Sequence, residues 1–553
     1  MLRIKSICTY CLLFLSVAWQ TLSAQETSRF ETSKQLEIFN ALVKEVEMFY
    51  VDSVEVDRMI RRGIDAMLRG FDPYTVYIPE EEMDDFKYLI TGEYGGIGSL
   101  IVQRGQGVVI AEPYEGMPAQ QAGLKAGDVI LAIDTIDVTN ATTTRVSELL
   151  KGMPNSKVTL KIRRPGENKP RKIDLTRKQI VENQVPYYGV QRDSIGYISL
   201  AGFTEKSAQE VKSALEDLKQ NHHIKGLVLD LRDNGGGILD GAVQIVNFFV
   251  PKGKEVVSTR GKIAQRDRIY RTSLEPTDTV MPIAVLINRH SASSTEIVCG
   301  ALQDMDRAVL IGERSFGKGL VQGSRDLPYG GKIKVTMSKY YIPSGRCIQL
   351  MDYSHRREDG SVAPVPDSLT SVFYTSHGRP VRDGGGVRPD FEVTEKVPAM
   401  LYYLAGDDIL FDYVTEWTLK HKTIPPVDKF VYPDEDFEDF KTCLREKGFS
   451  YDWNSGRYLN ELREIADFEG YTDNDSTLFS ALEAKLKPDL NHDLERYKTH
   501  IKNFVSGEIV KRYYFRKGEI IESLKTDNTL EKALDVLGDA ALYRKTLSAP
   551  EPE

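Results

Sequence analysis

The chain has 553 residues, of which 41% are hydrophobic and 28% are charged, and its formal net charge is −9. Such a length exceeds that of an ordinary domain and predicts three or four domains. The composition is typical of a globular, soluble protein rather than a disordered or membrane-embedded one. The acidic balance, with no dense basic stretch to offset it, argues against DNA or any other nucleic acid as the main partner.

The first residues have the pattern of a secretory signal. Arg3 and Lys5 precede a mostly apolar run at residues 7–18, which is too short to cross a bilayer unaided. Residues 22–24 then offer a cleavage point before Gln25. We expect a signal peptide at residues 1–24 and an exported, periplasmic protein, either free or held at a membrane by a partner. The competing interpretation is a buried N-terminal helix.

The cysteines do not predict a disulfide framework or a zinc site. Cys8 and Cys11 would leave with the signal peptide, and Cys299, Cys347 and Cys443 would remain. Three thiols cannot pair completely, and none of them has Cys-x-x-Cys spacing. We therefore expect no bound metal at these residues.

Helical spacing marks the region after the signal peptide. Apolar residues recur three and four positions apart until Phe71-Asp72-Pro73-Tyr74 breaks the pattern. This spacing predicts a helical N-terminal module at residues 25–91. Its members are Leu36, Phe39, Leu42, Val43, Val46, Ile60, Ile64, Met67 and Leu68.

Short strands with glycine punctuation follow in residues 92–180. Gly95-Gly96-Ile97-Gly98 precedes a strand, and a short helix at 118–124 comes before further strands at 126–133 and 158–162. This order resembles a circularly permuted PDZ domain of bacterial proteases. The resemblance implies that Gly95, Gly96, Ile97 and Gly98 offer backbone N–H groups to a peptide's terminal carboxylate, while the peptide joins the sheet edge. The simpler interpretation is that these glycines serve only a tight turn.

Apolar strands and helices alternate in residues 181–395, which predicts an α/β core. A buried strand at 227–231 precedes a glycine run, Gly235-Gly236-Gly237, which we expect to open a helix. A second buried strand at 283–287 leads to Ser293. Ligands in such cores gather at the carboxyl ends of the strands, where both features lie. Residues 396–553 have a charged, helical pattern without catalytic motifs, and their role is open.

Ser293 lies in the segment Arg289-His290-Ser291-Ala292-Ser293-Ser294-Thr295-Glu296. A strand followed by small hydroxyl residues and a helix places one serine at a helix N-terminus. The first N–H groups of a helix have no partner inside it, and the dipole favours negative charge, so an oxyanion can be held there. The simpler interpretation is that Ser293 only caps the helix.

A serine hydroxyl needs a base at neutral pH, and the sequence offers several. Lys318 is the preferred one, because it stands between two glycines that leave its side chain able to enter a cleft. Burial would have to lower its pKa by roughly 3 units from about 10.4. The alternative is a surface lysine in a turn. His290 is a close neighbour with poor geometry, and His355 and His377 fall in a polar insertion at 350–386.

Several motifs, in matching order over residues 30–395, together resemble the C-terminal processing (tail-specific) serine peptidases. The resemblance implies a multidomain α/β protein: a crotonase-like α/β protease core with an inserted PDZ domain, a helical N-terminal module and, outside the matched part, a helical C-terminal extension. The motifs are Arg232-Asp233-Asn234-Gly235-Gly236-Gly237, residues 291–296, Gln303-Asp304, Gly317-Lys318-Gly319-Leu320-Val321-Gln322, residues 343–349 and Gly386-Val387-Arg388-Pro389-Asp390.

The resemblance also implies roles for individual residues. Ser293 would be the nucleophile, Lys318 the general base and Gln322 the residue that positions the lysine amine. Ser291 is the rival nucleophile, although the family pattern selects the middle serine. Asp304 matches a family aspartate that we expect to be structural.

The implied oxyanion hole combines two backbone N–H groups. One belongs to Ser294 and the other to Gly236 or Gly237. Gly235 stands where the family often has proline, which is a departure from the pattern.

We therefore predict a secreted serine endopeptidase that recognises protein C-terminal tails and cleaves them through an acyl-enzyme, without metal or organic cofactor. A homo-oligomer or an adaptor protein is left open as a further partner. One rival function is a binding module or chaperone that has lost catalysis, which the intact Ser293, Lys318 and Gln322 argue against. Another is a crotonase-like acyl-CoA enzyme, but a secreted chain has little access to CoA.

Overall fold

The computed structural model describes residues 30–105, 107–192, 194–471 and 476–549. The predicted signal peptide at residues 1–24 lies outside them. No helix in these described ranges is long and apolar enough to span a bilayer. The chain divides into two compact units: residues up to Glu80 with Gln322–Thr336, and Glu81–Val321 with the residues from Met337 onward.

The described part of the first unit, from residue 30 onward, contains two α-helices and a short antiparallel pairing. Helix α1 covers residues 30–49, α2 is Val56–Arg69 and strand β1 is Val76–Ile78. β1 pairs with Lys332–Lys334. The predicted break after α2 is a turn in which Asp72 accepts the N–H groups of the residues at 74 and 75, both at 2.8 Å.

The second unit begins with α3 (Met83–Thr91) and a small antiparallel domain. Its strand β3 pairs only with β4 among the described strands, so one edge of the sheet is open. β2 pairs with β9, and the sheet order is β3-β4-β5-β7-β8 with β6 against β5. The elements are β2 (Glu93–Gly96), β3 (Ser99–Arg104), β4 (Gly107–Pro113), α4 (Pro118–Gln121), β5 (Val129–Ile133), β6 (Ile136–Asp137), α5 (Thr143–Leu150), β7 (Lys157–Arg163), β8 (Arg171–Thr176) and β9 (Lys178–Val181).

An α/β core follows. Its elements are β10 (Tyr187–Gln191), β11 (Ile195–Ser199), α6 (Ser207–Asn221), β12 (Gly226–Asp230), α7 (Leu239–Asn247), β13 (Glu255–Gly261), β14 (Arg268–Arg271), β15 (Ile283–Ile287), α8 (Ser294–Asp304), β16 (Val309–Gly312), β17 (Leu320–Asp326), β18 (Lys332–Tyr341), β19 (Met351–Arg356), β20 (Val362–Pro364), β21 (Val372–Tyr374), β22 (Pro380–Arg382) and β23 (Phe391–Glu392). The predicted insertion at 350–386 therefore forms two short hairpins, β19–β20 and β21–β22.

The core sheet has the order β10-β11-β12-β15-β16-β23, and every neighbouring pair is parallel except β10 with β11. Every residue of β12, β15 and β16 is buried. Successive side chains of a strand point to opposite faces. Leu227 and Leu229 pack with α6, α7 and α8, whereas Val228 faces the opposite side of the sheet.

One expectation about the core was wrong. The glycine run 235–237 does not open a helix, because α7 begins only at Leu239. Gly236 and Gly237 have φ values of 96° and 148°, which a right-handed helix does not allow. The glycines instead form a loop between β12 and α7.

The C-terminal region is helical, as predicted. It has an apolar core of its own, built largely from α9, α10, α11 and α15, while α16 and α17 cover the face of the core sheet that holds Val228. The helices are α9 (Ala399–Gly406), α10 (Asp408–Lys420), α11 (Asp434–Glu446), α12 (Asn454–Phe468), α13 (Ser476–Leu486), α14 (Leu490–Arg496), α15 (Lys498–Leu524, kinked at Phe515), α16 (Asn528–Gly538) and α17 (Ala540–Thr546).

Candidate active site

The glycine loop and Ser293 follow two neighbouring strands. The loop comes after β12 and Ser293 comes after β15, and these strands pair in parallel with Asp230 beside Leu286. The carboxyl ends of both strands therefore meet at one edge of the sheet, where ligands of such folds gather.

Gly236 lies directly against the segment that contains Ser293. A Cβ atom at this position would lie 2.8 Å from the Cβ of Ser293 and 3.0 Å from the backbone N of Ser294. At Gly237 a Cβ would lie only 2.0 Å from the carbonyl oxygen of Phe203, whereas at Gly235 it would meet nothing within 4 Å. Close approach therefore demands glycine at the second and third positions of the run but not at the first.

Hydrogen bonds join the glycine loop to the start of α8. The Asn234 carbonyl accepts both the N–H of Ala292 at 3.0 Å and the hydroxyl of Thr295 at 2.8 Å. The Ser294 hydroxyl donates to the carbonyl of Gly237 at 2.9 Å. These bonds hold the loop and the serine segment as one assembly.

The backbone donors at this junction are not equivalent. The N–H of Gly236 donates to Oδ1 of Asn234 at 2.9 Å, so it is already engaged. In the described part of the chain, the N–H groups of Gly237 and Ser294 have no hydrogen-bond acceptor. Ser294 is the first residue of α8, where the helix itself supplies no acceptor. The geometry thus leaves Gly237 and Ser294 as the pair able to bind an oxyanion.

Ser293 has a strained backbone at the N-cap of α8, with φ 59° and ψ −116°. Its N–H donates to Oε2 of Glu296 at 2.8 Å, and its carbonyl accepts the hydroxyl of buried Tyr340 at 3.2 Å. A non-glycine residue in such a region costs of order 1–3 kcal/mol and persists only where its surroundings hold it. These two contacts supply that support.

Glu296 connects the serine segment to the lysine segment. This fully buried carboxylate accepts four hydrogen bonds: Oε2 from the N–H groups of Ser293 and Lys318, at 2.8 and 2.9 Å, and Oε1 from the Ser315 hydroxyl and the Gly317 N–H, at 2.5 and 2.7 Å. Burial raises the pKa of Glu296, and the four hydrogen bonds act against that rise. One carboxyl group thus fixes the backbone of both predicted catalytic residues.

The glycines beside Lys318 let its loop pack closely. A Cβ at Gly317 would lie 2.5 Å from the Cβ of Leu350, and one at Gly319 would lie 2.8 Å from the N of Gln349. The N–H of Gly319 donates to Oε1 of Gln349 at 2.7 Å. Lys318 is half-buried between these two tightly packed glycines.

Gln322 belongs to the first unit, whereas Ser293 and Lys318 belong to the second. It lies in β17, and its Nε2 donates to the Thr336 hydroxyl at 3.1 Å. Its predicted role in positioning the lysine amine stays a prediction.

A second candidate site is a cavity of about 360 Å³ beside the open edge of β3. Gly96 and Ile97 of the predicted peptide-binding loop line it, together with Tyr114 and α5. Burial raises the pKa of Tyr114 to about 12, so this phenol is neutral at physiological pH. The hydroxyl of Ser99, also in the lining, is buried and has no hydrogen-bond partner in the described ranges.

Gly95 and Gly98 of the same loop are closely packed. A Cβ at Gly95 would lie 2.1 Å from the carbonyl oxygen of Gly152, and one at Gly98 would lie 2.4 Å from the Cβ of Met117. Packing alone therefore accounts for these two glycines, while Gly96 and Ile97 border the cavity.

Family models match three parts of the chain: Peptidase family S41 at residues 194–353, PDZ domain at 109–164, and Probable PDZ-protease, C-terminal helical domain at 400–537. A carboxy-terminal-processing protease of Bartonella bacilliformis is 36% identical over 341 residues, which cover 61% of this chain and 78% of that protein. The chain belongs to peptidase family S41.

Two further proteins show the same likeness over different shares of their length. A probable CtpA-like serine protease of Staphylococcus aureus is 32% identical over 301 residues, covering 54% of this chain and 60% of that protein. Among solved structures, the photosystem II D1 C-terminal processing protease has 27% identity and a TM-score of 0.35, covering 67% of this chain and 97% of that one. The predicted family and its PDZ domain are confirmed, and the C-terminal region gains a family match that its sequence pattern had not suggested.

The alternative candidates for the nucleophile and the base in this S41 chain make other contacts. The Ser291 hydroxyl is fully buried, donates to the Leu231 carbonyl at 2.8 Å and accepts the N–H of Asn288 at 2.9 Å, so it is committed to the fold. His355 is exposed beside Asp352. The ring of His290 accepts from the guanidinium of Arg289, and the ring of His377 bonds the Leu547 carbonyl.

Asp304 has the structural environment we expected. Its Oδ1 accepts from the buried guanidinium of Arg346 at 2.8 Å, and its Oδ2 accepts the N–H of Ser344 at 3.0 Å. Neighbouring Gln303 also accepts from Arg346, at 2.9 Å. The aspartate thus anchors the segment after β18 to the end of α8.

Glu296 and Tyr340 support the Ser293 segment but were not predicted from the sequence. A local signal existed for Glu296, because Ser293-Ser294-Thr295-Glu296 has the capping-box spacing in which the fourth residue binds the backbone N–H of the first. No local signal marks Tyr340, whose contact depends on how β18 packs against α8.

Proposed function

We propose that this S41 peptidase is a serine endopeptidase that cleaves proteins near their C-terminal tails, with Ser293 as nucleophile and Lys318 as general base. The observation that carries the proposal is the junction of Ser293 with two backbone donors, Ser294 and Gly237, that have no acceptor within the described chain. Glu296 supports it further, since its carboxylate fixes the backbone of both the serine and the lysine.

The proposed reaction uses groups of the chain alone. The uncharged amine of Lys318 takes the proton of the Ser293 hydroxyl, and the Ser293 oxygen attacks the scissile carbonyl carbon. The N–H groups of Ser294 and Gly237 bind the developing oxyanion, each contributing about 10²–10³ in rate. The leaving amine takes the proton from Lys318, and water then hydrolyses the acyl-enzyme with the lysine again as base. Gln322 would orient the lysine amine.

The PDZ domain would hold the substrate's tail. The open edge of β3 can accept an extended peptide as an added strand, and the cavity beside Gly96 and Ile97 would take its terminal residue. Apart from the ion-paired Asp85 and Lys151 and two serine hydroxyls, the side chains that line the cavity are neutral phenols and aliphatic groups, which favour an apolar terminal residue. The Ser99 hydroxyl has no hydrogen-bond partner among the described residues and offers a donor to the tail carboxylate.

Catalysis is tested by incubating a protein with an unstructured, apolar-ended tail with wild type, Ser293→Ala and Lys318→Ala. Both variants should lose cleavage while keeping the wild-type unfolding temperature, and a fluorophosphonate probe should label the wild type at Ser293. Ser291→Ala is the matched control and should still be labelled. Full cleavage by either catalytic variant would refute the proposal, and a folded wild type that is never labelled would favour a binding module.

Tail capture is tested with Ser293→Ala as the binding form. Adding Ser99→Asp should weaken binding of a fluorescent tail peptide at least about tenfold, because a like charge about 4 Å away costs roughly 1–4 kcal/mol. Leu100→Asp is the control, since this exposed residue lies on the opposite face of β3. Equal affinities for all three forms would remove the tail-binding part of the proposal.

We also propose that the protein is exported to the periplasm, free or held at a membrane by a partner. The support is the basic start and short apolar run of residues 1–24. Mass analysis of the exported chain should find Gln25 as its first residue. A mature chain that begins at Met1 would contradict the export proposal without affecting the catalytic one.

A further inference from the structure

The C-terminal helical region reaches the catalytic core at one charged contact next to the glycine loop. Asp527 lies between α15 and α16, and its Oδ2 accepts from Nη2 of Arg232 at 2.6 Å. Only 9% of the Asp527 side chain and 19% of the Arg232 side chain is exposed. A short, largely buried guanidinium–carboxylate bond is among the stronger hydrogen bonds in proteins.

Arg232 is held from its other side by the core. Its Nε and Nη2 donate to the carboxylate of Asp230, with distances from 2.5 to 3.1 Å. Asp230 ends β12 and also accepts the hydroxyl of Tyr197 at 2.7 Å. The guanidinium therefore lies between a carboxylate of the sheet and a carboxylate of the C-terminal region.

The Arg232–Asp527 ion pair lies beside a large cleft. Arg232 and Asp527 line a cleft of about 1120 Å³ between the strand ends and the α15–α16 segment. The ion pair therefore lies where this cleft meets the apolar side chains by which α16 packs on the core sheet. Nε and Nη2 of the planar guanidinium face Asp230, and Nη2 also bonds Asp527, so the two carboxylates together fix the orientation of the Arg232 side chain.

The chain passes from Arg232 to the glycine loop through strained backbone. Asp233 has a positive φ of 58°, and its N–H donates to Oδ1 of Asn288 at 3.0 Å. Asn234 then places the loop, because its side chain accepts the Gly236 N–H and its carbonyl binds the serine segment. Displacing Arg232 therefore moves residues that lie only a few positions before Gly237.

We propose that Asp527 is a positioning residue for the oxyanion loop, so that the C-terminal helical region takes part in assembling the active site. Asp527 does not touch the substrate; it acts through Arg232 on Gly237. This inference rests on the proposed function, because it assigns the loop its role in catalysis.

Asp527→Asn isolates the ionic contact. Oδ1 of Asp527 also caps α16 by accepting the Leu530 N–H at 2.9 Å, and asparagine is an equally good N-cap, so the helix should keep its start. Asp527→Ala removes the cap as well. Asp535→Asn is the matched control: it lies on α16 too and breaks an ion pair with core residue Arg192, but at an exposed position away from the loop.

The experiment measures kcat and KM for a tailed substrate, together with the rate of fluorophosphonate labelling at Ser293, well below the unfolding temperature. We expect Asp527→Asn to lower kcat and the labelling rate roughly tenfold, and Asp527→Ala to lower them up to about a hundredfold. Removing one oxyanion donor outright lowers kcat by about 10²–10³, so a displaced donor should cost no more than that. KM should change less than twofold, because the tail site is unaltered. Asp535→Asn should match the wild type.

The inference would be overturned by a kcat for Asp527→Asn within twofold of the wild type or by an equal fall in Asp535→Asn. A change confined to the unfolding temperature would also overturn it, since that is what a merely structural role predicts. A wild type that neither cleaves nor is labelled would remove the proposed function itself, whereas an active wild type with an indifferent Asp527 removes only this inference.

Discussion

Replacing Glu296 by glutamine would test whether one buried carboxylate holds both of the proposed catalytic segments in place. Glutamine keeps the shape but offers one oxygen and one NH₂ group. The oxygen can serve the N–H groups of Ser293 and Lys318, which leaves the NH₂ facing Ser315 and Gly317. The Ser315 hydroxyl can rotate to accept from it, although its O–H then needs another acceptor. The Gly317 N–H cannot accept, so this buried donor is left without its acceptor.

The magnitude follows from two opposing effects. An unpaired buried N–H costs about 1–3 kcal/mol, and the three remaining bonds lose an ionic acceptor, which made them roughly twice as strong as neutral ones. Burial raises the pKa of Glu296, so a neutral residue recovers part of the cost of burying the charge. We expect a net loss of about 1–3 kcal/mol in stability and, from misplaced reacting groups, a roughly tenfold to hundredfold slower acylation.

The assay combines thermal unfolding with the rate of fluorophosphonate labelling of Ser293, measured well below the unfolding temperature. Glu313→Gln is the control, because it removes the same charge from a half-buried residue at the end of β16. Labelling of Glu296→Gln at the wild-type rate would refute the reasoning, as would an equal loss in the control.

Three further predictions concern the loop, the sheet and the surface. Gly236→Ala should abolish labelling of Ser293, because the new Cβ would lie 2.7 Å from the Ala292 carbonyl oxygen, while Gly235→Ala should remain active in the same assay. Leu534→Ala should cost about 2–5 kcal/mol in urea unfolding, since this 3%-exposed side chain covers the second face of the core sheet; an unchanged transition would contradict that packing. Two lysine amines, at 498 and 502, hold the pKa of Asp434 at about 2, so its stabilising effect is complete above pH 3.8 and is lost as pH falls toward 2. Asp434→Asn should therefore slightly lower the unfolding temperature at pH 7, with a difference that closes in 1 M salt; a salt-independent difference would contradict the ionic origin.

The sequence predicts those parts of the fold that depend on local pattern. The run Ile283–Ile287 is a buried strand as expected, because continuous apolar residues fit a sheet covered on both faces. The helical spacing beyond residue 396 is likewise found as helices. The prediction that the glycine run opens a helix was wrong for a physical reason. Gly236 and Gly237 take positive φ angles to approach Ser293 and Phe203, so the helix starts later.

Contacts between distant segments could not be predicted in this way. Glu296 meets Lys318 and Gly317 only because the turn after β16 returns to the start of α8. Asp527 meets Arg232 across 295 positions of the chain, and nothing near either residue marks the other. Such pairs depend on tertiary packing, which a single sequence reports only through a family resemblance.

The proposed oxyanion pocket lies between two strained residues, and each has a buried carboxylate beside it. Asp233 and Ser293 both have positive φ angles, 58° and 59°, and such conformations cost of order 1–3 kcal/mol each. Glu296 binds the N–H of Ser293, and Asp527 binds the guanidinium of Arg232, the residue before Asp233. Because the loop and the serine segment share the hydrogen bonds of Asn234, strain released on one side would move the donors on the other. If Asp527 positions the loop as we propose, the precision of the proposed pocket depends on two charges outside it, one at the first turn of α8 and one in the last helices of the chain.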